Sequence, residues 1–520
     1  MKLNYFRTIC VGFAFFLICA FWQAYDTAIP MILTNKFGMG QTWSGMIMAL
    51  DNILALFMLP LFGAISDKCK SKLGRRTPFI LIGTIAAALA FVALSLVDGL
   101  QLSHISAIAK VDDPAALEII YNEEKDAQLI TPDGDSFVLS DVYTKEEFTA
   151  IQSQITNEKG KTVTNHAYTN YVVPARQAYA AGVTSNQILP LVLFIIFLLV
   201  TLVAMSTFRS PAVALMPDVT MKPLRSKANA IINLMGSAGG ILVLGLGMVF
   251  ATSAVKNSLM SYTPFFCVIS GIMIAALIIF LLTVREPLFV KEREEKEREY
   301  GIADAEEAVA ENAGKHKLGA AEKRSLIFIL ASIILWFMGY NAVTSKYSVY
   351  ATNILHKDYN MTLIIAQGAA ILAYLPVGIV ASKIGRKKTI IAGVVMLTIA
   401  FGAAALMNSD TPTMLMNCMF ALAGIAWATI NVNSFPMVVE MCSGADVGRY
   451  TGFYYTASMA AQVVTPIFSG FLMDQFGMRV LFPYAVIFVA LAILTMIFVK
   501  HGDSKPEAKK GLEALDEDMD

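Results

Sequence analysis

The sequence predicts an all-α membrane protein: twelve transmembrane helices in two six-helix pseudo-repeat bundles, with an extracytoplasmic insertion between helices 3 and 4. Three observations predict it. The 520 residues are 56% hydrophobic and only 15% charged, below the charge content of soluble domains. The apolar residues come in runs of roughly twenty, each long enough to cross about 30 Å of hydrocarbon at about 1.5 Å per residue. Six such runs precede a charged stretch and six follow it, and the two sets share a motif.

The runs place helices at 8–33, 43–66, 78–97, 187–208, 229–254 and 264–284, then at 326–350, 361–382, 389–408, 412–436, 450–473 and 480–500. The organisation expected is an N-terminal bundle over 1–284, a cytoplasmic linker over 285–325, a C-terminal bundle over 326–501 and a polar tail over 502–520. Lys2 and Arg7 before an apolar run resemble a signal peptide, but the run is too long and lacks a small-residue cleavage site, so it reads as helix 1. Orientation follows from basic residues in short loops. Lys68, Lys70, Lys72, Arg75 and Arg76 follow helix 2. Arg209, Lys222, Arg225 and Lys227 follow helix 4, and Lys383, Arg386, Lys387 and Lys388 follow helix 8. These loops, both termini and the linker are expected on the cytoplasmic side of the inner membrane.

Segment 98–186 falls on the outer side and holds 13 acidic and 6 basic residues, a net charge of −7. Pro132-Asp133-Gly134-Asp135 between Leu129-Ile130 and Phe137-Val138-Leu139 signals a hairpin. Tyr121, Phe137, Tyr143, Phe148, Tyr168 and Tyr171 predict an ordered portion rather than a plain tether. The linker run at 291–299 alternates Lys or Arg with Glu and suits a solvated helix.

The two halves repeat. Leu59-Pro60, Gly63, Ser66-Asp67 and Gly74-Arg75-Arg76 at the end of helix 2 match Leu375-Pro376, Gly378, Ser382-Lys383 and Gly385-Arg386-Lys387 at the end of helix 8. Pro217-Asp218 with Arg225 is echoed by Glu440 with Arg449. Parallel repeats of this kind belong to alternating-access transport about a midplane site.

Gly63-Ala-Ile-Ser-Asp67 followed by Gly74-Arg75-Arg76-Thr-Pro78 resembles the loop signature of the major facilitator superfamily. The longer run from Asp67 to Pro78, Ala214-Leu-Met-Pro-Asp218 and Gly448-Arg449-Tyr450-Thr-Gly452 are similar to its branch of glycoside–pentoside–hexuronide:cation and sucrose:proton symporters. The resemblance implies the major facilitator fold, with helices 1, 7 and 10 lining a central cavity. It implies a gate in which Asp67, Gly74, Arg75, Arg76, Asp218, Arg225, Glu440 and Arg449 hold the cytoplasmic side shut in one state. An aspartate at a helix end can pair with arginines and release them when the helix rocks.

Charges at membrane depth are costly and mark function. Asp26 lies about 7 Å, and Asp51 about 5 Å, outside the midplane on consecutive helices. Either can take a proton or sodium ion, or accept hydrogen bonds from a sugar. The competing reading is a structural, hydrogen-bonded acid. Against the sodium-coupled melibiose-type pattern, 187–208 holds no acid and helix 11 no lysine; its main polar residue is Gln462. That favours protons. Lys346, near the outer end of helix 7, either pairs with an acid or snorkels outward.

Trp22, Trp336 and Trp427 lie near the midplane, each with a polar residue four positions on: Asp26, Tyr340 and Asn431. Aromatic faces beside hydrogen-bonding groups suit sugars, whose C–H faces are apolar and rims polar. With Gln23, Asn341 and Gln462 these form the candidate substrate set; packing or lipid contact is the competing reading of each tryptophan. Gly236 and Gly240 suggest close helix packing in helix 5.

The expected function is proton-coupled symport of a glycoside or small oligosaccharide. The alternative is a facilitator or exporter of a non-sugar solute such as a drug or amino acid. The partners are then a small molecule, a proton or sodium ion and the bilayer, with the chain working as a monomer. No Walker motif points to ATP drive, and no Ser/His/Asp set or H-x-x-x-H pair points to an enzyme. No cofactor, metal or nucleic acid is expected, and the six cysteines show no metal-ligand spacing.

Overall fold

The structure, a computed structural model, describes residues 3–156, 160–221, 224–300, 319–439, 441 and 447–501. Among them, eleven helices are long and apolar enough to cross a membrane, and a twelfth, Tyr359–Ile384, carries a shorter apolar stretch. Helices 1 to 6 are Tyr5–Asn35, Gln41–Asp67, Thr77–His104, Leu189–Val219, Arg225–Val249 and Thr263–Thr283. Helices 7 to 12 are Ala320–Tyr350, Tyr359–Ile384, Arg386–Ala405, Thr413–Val439, Val447–Phe476 and Leu481–Ile497.

Each set of six buries its own core. Phe21, Phe91, Phe208 and Phe266 centre the first, and Trp336, Phe401, Phe482 and Val489 the second. Large apolar side chains such as Leu89, Leu282, Leu372 and Leu406 are left exposed around the outside. In water such a surface would be untenable; in hydrocarbon it costs nothing.

Three departures from the expected boundaries have electrostatic or hydrogen-bonding reasons. Helix 3 runs past Asp98, because that carboxylate is fully buried against the Lys36 ammonium at 2.6 Å. Helix 2 breaks at Ala49 into Gln41–Met48 and Leu50–Asp67, and the buried Tyr25 hydroxyl donates to the Met48 carbonyl at the break. Helix 4 extends about three turns beyond 208, taking in Arg209 and Asp218, which the hydropathy pattern placed in a loop.

Between helices 3 and 4 the chain folds into a small layer on one face of the bundle. The hairpin forms as read, with Gln128–Ile130 pairing antiparallel to Ser136–Val138 and Gly134 at φ +100. Five of the six aromatics pack on one another, Phe137 on Tyr171 at 5.0 Å and Tyr121 on Phe148 at 5.5 Å, while the buried Tyr168 donates its hydroxyl to the Val111 carbonyl. They share a core with Leu117, Ile120, Val255 and Leu259, so the layer is welded to the first bundle. On the opposite face the charged linker forms the helix Glu286–Glu299. Helix 5 meets helix 1 most closely at Gly239, next to Gly240 of the expected pair: a Cβ on Gly239 would lie 2.5 Å from the Phe16 carbonyl.

Candidate functional site

Helices 1, 2 and 4 bring together Asp26, Asp51 and Arg209. Asp26 and Asp51 are half-buried, and Asp51 accepts a 2.8 Å hydrogen bond from Asn52. Asp51 sits in the first turn after the helix 2 break, where the exposed N–H groups of a helix start favour an anion. The Arg209 guanidinium stands over the Trp22 ring at 5.5 Å and within electrostatic reach of Asp51 and Asp26. Among the described residues it makes no ion pair with either. The sequence reading missed Arg209 because its charge ended an apolar run; the neighbouring acids are what let it stand at that depth.

The second bundle presents an aromatic wall to this cluster. The Tyr340 and Trp427 rings stack face to face at 3.5 Å, and Phe337 meets Trp427 edge-on at 5.3 Å. Tyr340 is within electrostatic reach of Asp26, and Tyr455 within reach of Arg209, across the bundle interface. Trp22, Gln23, Asn341, Asn431 and Gln462 are half-buried. Gln23 accepts a 2.5 Å hydrogen bond from Gln367 in the opposite bundle. Among the described residues, the Trp22 Nε1, the Asn341 Nδ2 and both side-chain polar atoms of the buried Asn233 have no hydrogen-bond partner.

Trp336 does not join them. It is fully covered inside the second bundle's core, although Tyr340 one turn on faces Trp427. Residues four apart differ by about 40° around a helix. Here that offset sends the larger indole inward, beside the close approach of helices 7 and 12 at Gly339.

Of the loop residues expected to gate, Asp67, Arg75, Arg76 and Asp218 form a tight network on the linker face. Arg76 reaches Asp67 at 2.5 Å through Nη2, Asp218 at 2.8 Å through Nε and the Ser66 hydroxyl at 2.6 Å through Nη1. Burial pulls the Arg76 guanidinium down, but Asp218 and Asp67 outweigh it and hold it above its ordinary range. Arg75 lies 3.4 Å from Asp218. Arg225 instead donates to the Pro217 and Thr220 carbonyls. Glu440 and the side chain of Arg449 fall outside the described residues.

The organiser of this network, unforeseen from sequence, is Glu286. Its buried carboxylate accepts from the backbone N–H groups of Arg75, Arg76 and Thr77 and from the Thr77 hydroxyl, at 2.7 to 3.1 Å. It thus caps the start of helix 3. Gly74 holds φ +113 and lies so close that a Cβ would sit 2.3 Å from that carboxylate. These gate partners all belong to the first bundle and the linker.

Contacts between bundles lie elsewhere. The hydrogen bonds that join described residues of the two bundles cluster at the cavity and toward the insertion face. Asp474 of helix 11 accepts from the Gln41 and Thr42 N–H groups at 2.7 Å and the Thr42 hydroxyl at 2.6 Å, capping helix 2. The buried Lys346 donates to the Gln41 carbonyl at 2.6 Å, neither snorkelling nor ion-paired. Tyr359 and Asn360 of helix 8 donate to Thr252 at the end of helix 5. The molecule is closed on the insertion face.

A family model described as Major Facilitator Superfamily matches residues 178–371 and 352–516, and one described as MFS/sugar transport protein matches 10–108. The sucrose transport protein SUC4 of Arabidopsis thaliana is 36% identical over 74 residues, which span 14% of this chain and 14% of that relative. The inward-open structure of the xylose transporter XylE from E. coli superposes at a TM-score of 0.59 and 15% identity, over 98% of this chain and 99% of that one. A bacterial homologue of the iron transporter ferroportin in an inward-facing state gives 0.61 at 10% identity, over 95% and 99%. A mutant of the nucleoside transporter NupG gives 0.53 at 13% identity, over 95% and 100%. At these identities the structural likeness is one of fold. With the superfamily model matching more than half of its length, the chain belongs to the major facilitator superfamily and is a multi-pass membrane transporter, not an enzyme.

Proposed function

We propose that this transporter is a proton-coupled symporter of a glycoside or small oligosaccharide, working by alternating access in the inner membrane with both termini cytoplasmic. The observation that carries the reading is the pairing of Asp26, Asp51 and Arg209 in one bundle with the Tyr340–Trp427 wall in the other. The wall offers a flat apolar face, and Gln23, Asn341 and Asn233 offer a polar rim, which together suit a sugar ring. The local match to a sucrose transport protein supports the same class.

Two carboxylates and one guanidinium sum to one negative charge. A single proton makes the cluster neutral, and a neutral cluster costs least to carry through a low-dielectric occluded state. Arg209 also repels a metal cation, which supports a proton over sodium. By the basic-loop rule the linker face is cytoplasmic, so closure on the insertion face corresponds to a state open to the cytoplasm. The gate network of Arg76, Asp67 and Asp218 is then one side of a latch that engages the second bundle when that face shuts.

Counterflow in proteoliposomes with labelled mono-, di- and trisaccharides tests the substrate class without assuming an ion. The panel includes a hexuronide, because Arg209 would attract its carboxylate. Saturable counterflow of one sugar is expected. No counterflow by folded protein across the panel would overturn the sugar reading in favour of a facilitator or exporter of a non-sugar solute.

A further inference from the structure

The layer inserted between helices 3 and 4 moves with the first bundle. Its aromatic core takes in Val255 and Leu259 from the turn after helix 5. Gln177 donates to Asn35, and Gln101 ties the Lys36 carbonyl to Thr184. Yet its free edge reaches across to the second bundle. At the hairpin tip, Asp133 pairs with Arg479, and the Pro132 carbonyl accepts from the Met478 N–H at 2.7 Å. Gly134 and Gly477, both at positive φ, let the two backbones touch: a Cβ on Gly477 would lie 2.6 Å from the Gly134 nitrogen. Farther along, the His166 ring meets the Ser409 hydroxyl at 2.7 Å, and Thr169 meets the His356 ring at 2.9 Å. The two imidazoles lie 4.6 Å apart.

His356, Ser409 and Arg479 belong to the turns joining helices 7 and 8, 9 and 10, and 11 and 12. The layer therefore grips each of the second bundle's turns on that face. A rocking motion that opens the face must break these contacts, while the welded side stays intact. We propose that the insertion is a clasp that stabilises the state closed on its own face, with Asp133, Arg479, His166 and His356 as gating residues. This deepens the alternating-access reading and rests on it.

The clasp is tested by two readouts. Ser44 is fully buried on helix 2, beneath the clasp, at the face closed by helix 11. A Ser44→Cys chain in intact cells is treated with an impermeant maleimide, with and without Asp133→Ala or Arg479→Ala. Loosening the clasp is expected to raise the labelling rate about fivefold, the scale of one surface ion pair. Second, Asp133→Cys/Arg479→Cys is bridged by a short bis-methanethiosulfonate, each cysteine displacing one sulfinate to leave a reducible disulfide link, with each single-cysteine chain as control for native thiols. The bridge is expected to stop counterflow and Ser44→Cys labelling, and reduction to restore both. Unchanged labelling in both alanine variants, or parental counterflow in the bridged chain, overturns the clasp. If unbridged parent shows no counterflow, the transport reading fails on its own, and labelling, which needs no substrate, still decides the clasp.

Discussion

Replacing either intramembrane acid by its amide should convert a coupled transporter into an uncoupled one. With Asp26, Asp51 and Arg209 sharing one site, the unprotonated cluster carries one negative charge and the singly protonated one carries none. Asp51→Asn or Asp26→Asn leaves one carboxylate and the guanidinium, which is neutral with no proton at all. The empty and loaded cluster then cross at the same electrostatic cost, and the proton drops out of the cycle. One charge moving through 100 mV contributes about 2.3 kcal/mol, which is about 50-fold accumulation of a neutral solute. The assay is uptake into energised vesicles beside counterflow in unenergised ones. Parental chain is expected to approach that ratio; each amide variant should fall to about 1 while keeping counterflow, by the same arithmetic. Accumulation above about tenfold in both variants would refute the charge-balance reasoning, because it would require a coupling group elsewhere.

Trp427→Ala should raise the half-saturating sugar concentration about tenfold by removing the stacked wall, whereas Trp336→Phe in the covered core should change it little; a larger transport defect at Trp336 would reverse their roles. Glu286→Ala leaves three N–H groups at the start of helix 3 without their acceptor and should cost about 3 kcal/mol or more in detergent unfolding, with Glu286→Gln recovering part of it. Gly470→Ala puts a methyl 2.2 Å from the Gln41 carbonyl and should wedge the insertion face open, read as faster Ser44→Cys labelling in folded protein. Burial, helped by His166 and Lys357 and opposed by the Asn353 carbonyl and Asp133, pushes His356 down to about 4, so the closed clasp holds it neutral while a solvated imidazole titrates near 6.5. Stability of the closed clasp is therefore complete above pH 6.5 and falls by about 2 kcal/mol by pH 5. Ser44→Cys labelling should quicken over that window, and His356→Gln should flatten the response.

The two bundles, the hairpin and the cluster of Asp67, Arg75, Arg76 and Asp218 were readable because each rests on a local pattern: a run of apolar residues, a turn sequence between strands, a charged motif at a helix end. What escaped the sequence depends on partners far along the chain. Arg209 read as a loop residue because hydropathy counts its charge and cannot see Asp51 about 160 residues earlier or Asp26 about 180 earlier. Asp98 ended helix 3 on paper for the same reason, with Lys36 unseen. Trp336 satisfied the same spacing as Trp22 and Trp427, but periodicity gives a face to within about 40° and does not say which neighbour waits there. Glu286 looked like the start of an ordinary charged linker, since nothing local marks it as the cap of a helix beginning 210 residues before.

The two faces are held by different chemistry, and the difference bears on how the molecule switches. On the linker face the ion pairs of Arg75 and Arg76 stay within one bundle, so those pairs survive whichever way the bundles rock. On the insertion face the contacts run between bundles: a carboxylate on a helix start, an ammonium on a carbonyl, and glycines where backbones touch at Gly45 and Gly470. These interactions are short-ranged, so a small separation of helices 2 and 11 loses several of them together. Closure there is therefore expected to be cooperative rather than graded under the proposed rocking between two packed states. The inserted layer adds to that interface from above without touching the cavity. It can therefore set the balance between the two states while leaving the substrate contacts unchanged.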